Sequence, residues 1–125
     1  MENKVPYQLT GIDHVQIAMP PGEEAAARHF YADLLCLTEV AKPPNLAKRG
    51  GAWFQGPGIA VHLGVEQDFR PAKKAHPCFR VADLNALQRV LEAEGITVIP
   101  DQEIPGVRRF YAADPFGNRI EFQQE

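Results

Sequence analysis

The chain has 125 residues, 45% hydrophobic, 23% charged and 9% aromatic, which suits one globular domain of ordinary size. Thirteen Lys and Arg against sixteen Asp and Glu leave a formal charge of −3, so no basic field is available for nucleic acid. No apolar run approaches the ~18 residues of a membrane span, and Met1 to Tyr7 carries no apolar signal core, so a cytoplasmic protein without a membrane partner is expected.

Taken in chain order, alternation is the dominant pattern. Ile12 to Met19 sets Val15, Ile17 and Met19 on one face and His14, Gln16 and Ala18 on the other. That is a strand with one side on a core. After the breaker Pro20-Pro21-Gly22, Glu23 to Leu35 carries Ala26, Phe30 and Leu34 at helical spacing. Two weaker strands, Leu37 to Val40 and Ala52 to Gln55, precede the turn Gly56-Pro57-Gly58. Ile59 to Val65 then alternates again, with Ala60, His62 and Gly64 opposite the apolar set.

The polar stretch Glu66 to Ala75 reads as a joint. Beyond it, His76 to Val81 sets Phe79 and Val81 against His76, Cys78 and Arg80. Asp83 is placed to cap a helix bearing Leu84, Leu87 and Leu91, which Gly95 closes. Thr97 to Ile99 and Val107 to Ala112 are weaker strands, and Asp114-Pro115-Phe116-Gly117-Asn118 is a tight loop. Arg119 to Gln123 ends the pattern, with Ile120 and Phe122 on the core side. Cys36 and Cys78 are too few for a disulfide framework and are read as free thiols, Cys78 as a small buried one.

Both halves therefore run strand, helix, then three strands. His14 and His76 open the halves, and His62 and Glu121 sit in the last strand of each at nearly equal intervals. A repeat of this size brings equivalent positions together across a pseudo-twofold axis. Parity puts all four side chains on the face away from the core. If the sheets curl into a half-barrel, His14, His76 and Glu121, with His62 as a fourth ligand or a base, make a first shell for zinc, nickel, cobalt, manganese or iron. His29 lies on the first helix, outside this set, and is expected to cap or pack there.

At these residues the sequence resembles the vicinal-oxygen-chelate superfamily, which holds glyoxalase I, extradiol dioxygenases, fosfomycin-resistance transferases and bleomycin-resistance proteins. The resemblance runs from Gly11 to Phe122. It is carried by Asp13-His14-Val15, by Phe30-Tyr31-Ala32-Asp33-Leu34-Leu35, by His76-Pro77-Cys78-Phe79-Arg80-Val81-Ala82-Asp83-Leu84, and by Phe110-Tyr111 with Asp114-Pro115-Phe116-Gly117-Asn118-Arg119-Ile120-Glu121. It implies an α+β fold of paired βαβββ modules, here 8–65 and 74–123 within one domain of 1–125, forming a curved mixed sheet whose cleft is completed in a homodimer. It also implies metal ligands at His14, His76 and Glu121. Where glyoxalase I has a carboxylate on the fourth strand, this chain has His62.

The implied function is metal-dependent, glyoxalase-type isomerase or lyase chemistry on a small substrate with vicinal oxygens. An extradiol-type dioxygenase and a metal-free, bleomycin-resistance-like binder are the alternatives. Tyr111 stands ten residues before Glu121, as the tyrosine of fosfomycin-type enzymes does, and joins His62 as a catalytic candidate. Arg109 shares a face with Tyr111 and Gln16 shares one with His14; with Trp53 these are candidates for substrate contact. Lys42, Lys48 and Arg49 lie in a Pro- and Gly-rich loop that reads as a solvated surface loop or an anion-attracting lid.

Overall fold

A computed structural model describes residues 6–125; residues 1–5, most of the stretch searched for an export signal, lie outside the described residues. Among these described residues, eight strands form two four-stranded mixed sheets. The first holds β1 (Val15–Met19), β2 (Thr38–Val40), β3 (Ala52–Gly56) and β4 (Ile59–Val65) in the order β1-β4-β3-β2. The second holds β5 (Cys78–Val81), β6 (Ile99–Asp101), β7 (Arg109–Ala113) and β8 (Arg119–Gln124) in the equivalent order β5-β8-β7-β6. In each, the first strand pairs parallel with the last and the other ladders are antiparallel. The fold is α+β with mixed sheets, as expected, and each half contributes one four-stranded sheet.

Parity reads correctly through both sheets. Ile17, Met19, Val61, Leu63 and Phe54 are buried on one side of the first sheet, and Phe110, Ile120 and Phe122 on one side of the second. The helices cover these faces. α1 (Glu24–Ala27) continues into a π-helical segment, Arg28–Leu34, that the spacing alone does not announce. A π turn rotates less per residue than an α turn, so neighbours can share a face. Phe30 and Tyr31 do so: both are fully buried, ring centroids 4.9 Å apart.

A one-turn α2 (Pro44–Ala47) was not anticipated, although Pro44 at its first position is a legible start signal. In α3 (Leu84–Ala93), Asp83 Oδ1 accepts from the Ala86 amide at 3.1 Å, and Gly95 takes φ +78°, as the sequence foretold. β1 begins at Val15 and β5 at Cys78, both later than alternation suggested. His14 and His76 thus stand just before their strands. The 42–51 loop is tied down rather than free. Glu24 Oε2 accepts from Gly51 N at 2.8 Å, and Lys42 donates to the Gly50 carbonyl.

The halves are joined around one buried carboxylate. Asp114 is 4% exposed and accepts from the Tyr31 hydroxyl at 2.8 Å, the Phe116 and Asn118 amides, and the Asn118 side chain at 3.0 Å. Asn118 Nδ2 also donates to the Ala18 carbonyl at 2.8 Å, while its Oδ1 accepts from the Ala72 amide. First sheet, first helix, joint and β7–β8 turn therefore meet here. At the surface, His29 makes no cap but bridges the helices, 2.7 Å from Glu94 and 3.3 Å from Asp33.

Tyr31→Phe removes one donor from a buried carboxylate and is expected to lower unfolding stability by about 1–3 kcal/mol in denaturant titrations. An unchanged midpoint would deny the joint its role. For His29, the Glu94 contact and then Asp33 raise its pKa above the ordinary 6.5. The bridge is therefore fully present below pH 6.5 and is lost as pH climbs through the raised value. His29→Gln should lower Tm in mildly acidic buffer and leave it unchanged in alkaline buffer.

Candidate functional site

The faces that do not meet the core carry the chemistry, and they differ sharply. On the first sheet three rings stack. Trp53 and His62 are cross-strand partners with ring centroids 3.9 Å apart and planes 5° from parallel. His14 covers the other side of His62 at 4.1 Å and 18°. Phe54, the neighbour of Trp53 in β3, is fully buried on the core side, which leaves the indole on the site face. Gln16 lies across Gly64, where an added Cβ would meet its Nε2 at 2.6 Å. The bare glycine gives this amide its seat.

The ring edges decide what this face can bind. Asp13 Oδ2 lies 2.9 Å from His14 Nδ1, so that nitrogen carries the proton and Nε2 keeps its lone pair. Imidazole lone pairs lie in the ring plane. Two near-parallel rings 4.1 Å apart therefore cannot both direct one at the same ion. Burial, and then His14, lower the pKa of His62, which favours its neutral form.

The second face is ionic. Glu121 is 6% exposed, with His76 Nε2 2.9 Å from Oε1 and Arg109 Nη1 donating to Oε2 at 3.0 Å. Burial alone would raise its pKa, but hydrogen bonds from Arg109, His76 and Cys78 outweigh that and hold it below the ordinary carboxylate value. Arg109 also pairs with Asp101 at 3.1 Å and donates to the Tyr111 hydroxyl at 3.1 Å, while its Nε is buried with no partner among the described residues. The Arg119 guanidinium carbon lies over the Tyr111 ring, 3.8 Å from its centroid. Cys78 is exposed rather than buried. Desolvation of its thiol, and then Glu121, push its pKa up to about 11, so it is no thiolate at neutral pH.

The residues of this face fit a divalent ion. His76 Nδ1 is 2.9 Å from the Lys74 carbonyl, which can only accept, so Nδ1 is protonated. Nε2 and Glu121 Oε1 then face each other at 2.9 Å, and a proton or a cation must lie between them. Two donors each about 2.1 Å from one ion and at right angles stand about 3 Å apart. Yet His14 with His62 and His76 with Glu121 remain two pairs. Among the described residues, no three His, Cys, Asp or Glu side chains gather closely enough to hold an ion. The structure thus corrects the expectation that a single chain converges all four. Sequence reasoning also passed over Asp13, Arg119 and Lys73. Parity alone could have placed Arg119 beside Glu121, since both lie on one face of β8.

The model for the Glyoxalase/Bleomycin resistance protein/Dioxygenase superfamily matches residues 11–122, and the chain belongs to that family. A Bacillus anthracis protein described as of the glyoxalase family is 48% identical, with a TM-score of 0.92 over 97% of this chain and 99% of its own. Glyoxylase I 4 of Arabidopsis thaliana is 28% identical over 93% of this chain and 71% of its own length. The fosfomycin resistance protein FosX of Listeria monocytogenes shares the fold at a TM-score of 0.74 with 12% identity, covering 94% of this chain and 95% of its own. No helix among the described residues is long and apolar enough to cross a membrane.

With its thiol pKa near 11, Cys78 should resist iodoacetamide at pH about 8, and exposed Cys36 should label first. Peptide mass spectrometry would read the order, and equal rates would contradict the environment described for Cys78.

Proposed function

We propose that the protein is a metal-dependent enzyme of glyoxalase type acting on a small substrate with two adjacent oxygens, its site completed in a homodimer. The observation that carries this reading is the His76–Glu121 pair, whose Nε2 and Oε1 face each other with His76 Nδ1 already committed. His14 of one copy, with Nε2 left open by Asp13, would complete the set with His76 and Glu121 of the second copy. Zinc, nickel, cobalt, manganese or iron suits these donors. An ion held by these residues would supply Lewis acidity toward negative charge developing on the substrate oxygens.

The chain's own residues supply the remainder. His62 serves as a positioning residue and a base rather than a ligand, since Trp53 and His14 hold its ring from both sides. Being neutral, it can accept a proton from substrate carbon. Arg109 fixes the Glu121 carboxylate and polarises the Tyr111 hydroxyl, which faces the same cleft. Gln16 presents its amide to substrate from above Gly64. With His62 outside the shell, two His and one carboxylate remain, a set that also suits Fe(II) oxygen chemistry. Extradiol-type dioxygenation is therefore the second reading, and oxygen uptake with catechols on iron-loaded protein tests it.

Subunit complementation tests the main reading. His14→Ala and His76→Ala should each hold little divalent metal after dialysis. Co-expressed, they should recover roughly a quarter of the wild-type sites, because half of the dimers are mixed and each mixed dimer has one intact site. His62→Phe, which keeps the stack, should retain wild-type metal content. No recovery on mixing would place the site within one chain, and wild-type protein that takes up no divalent ion would end the metal reading.

A further inference from the structure

A cavity of about 230 Å³ opens on the second sheet at Tyr111, the cross-strand partner of Glu121, and is lined also by Lys73, Ile99, Ala113, Gly117 and Arg119. Its two cations differ from Arg109. Arg109 is engaged by Asp101 and Glu121, whereas among the described residues no carboxylate lies within ion-pair distance of Arg119 or Lys73. Arg119 holds its Cζ 3.8 Å from the centroid of the Tyr111 ring and makes no side-chain hydrogen bond among the described residues, so its N–H donors are available to a ligand.

Lys73 belongs to the joint between the halves, yet its position is fixed. The preceding residue, Ala72, is bracketed by two hydrogen bonds. Its carbonyl accepts from Arg119 N at 2.8 Å, and its amide donates to Asn118 Oδ1 at 3.0 Å. Pro71 packs against Gly117, whose φ of +91° and lack of a Cβ let the joint come this close; a Cβ there would sit 3.3 Å from the proline ring. The same turn that aims Arg119 thus holds the backbone that carries Lys73.

We propose that Lys73 and Arg119 form an oxyanion-binding subsite that takes the carboxylate or phosphate-like head of a small substrate, with its short aliphatic part against Ile99 and Ala113. This names the substrate class of the site proposed above and rests on that reading only for the neighbouring reaction centre. A planar guanidinium edge beside an ammonium matches a multi-oxygen anion. Beyond the two cations the cavity wall is mostly apolar, Ile99 and Ala113 included, and suits an aliphatic part of the ligand. Arg109, which the sequence offered for this work, is already occupied in holding Glu121.

The test is an NMR titration of the full chain, stripped of metal by chelator and dialysed, with inorganic phosphate, butyrate and the neutral isostere butyramide. Wild type should bind phosphate and butyrate but not butyramide at the same concentrations. Lys73→Gln and Arg119→Gln should each weaken both anions about tenfold, with thermal melts confirming that the variants fold. Arg89→Gln, which removes an exposed cation on α3, should bind the anions as wild type does. Anion binding that ignores both cations, or butyramide binding equal to butyrate, would overturn the subsite. Anion binding that depends on them in a protein that takes up no metal would sustain the subsite and sink only the metal reading.

Discussion

The geometry of both half-sites depends on a carboxylate that never reaches them. Asp114 is buried between the halves, where a lone charge is expensive to hold. Four donors, two of them backbone amides, make it tolerable. Because those donors come from α1's continuation and from the β7–β8 turn, satisfying the charge fixes where the turn sits. Asn118 passes the constraint onward to Ala18 at the end of β1 and to Ala72 in the joint. A buried polar network of this kind has few ways to be satisfied, so it specifies one arrangement of the two sheets.

The sheets it fixes are chemically unlike despite their shared topology. Stacked, mostly neutral rings face outward on the first, and a chain of ion pairs on the second. A repeat gives each half the same strand positions, but the cross-strand neighbours decide what those positions do. His62 faces Trp53 across the ladder and becomes part of a stack. Glu121 faces Tyr111 on β7 and, with Arg109 two residues away, becomes part of an ionic network. Equivalent places in the two copies have thus taken different roles, one set suited to shaping a pocket and the other to holding charge.

Much of this was legible in the sequence because a strand's period of two reports faces directly. Alternation placed Val61 and Leu63 inward and His62 outward, and the Asp83 cap and the Gly95 terminus were readable from local backbone chemistry. Distances were not legible. Parity says that His14 and His76 share a kind of face, but not that each precedes its strand or that each meets only one of the other three candidate ligands within a chain. The π-helical stretch escaped because Phe30, Tyr31 and Leu34 also satisfy an α-helical spacing. Lys73 escaped because nothing local marks a lysine in a polar joint. Its placement comes from Asn118 and Arg119, far away in the chain.

The indole at position 53 has a further consequence. It is the molecule's single tryptophan, and it lies flat on His62. Its emission therefore originates entirely from the cleft and is sensitive to the charge and tilt of the neighbouring imidazole. Occupancy of the pocket becomes visible by fluorescence with no label attached. Ligand libraries can be screened optically on the unmodified chain before any substrate is known.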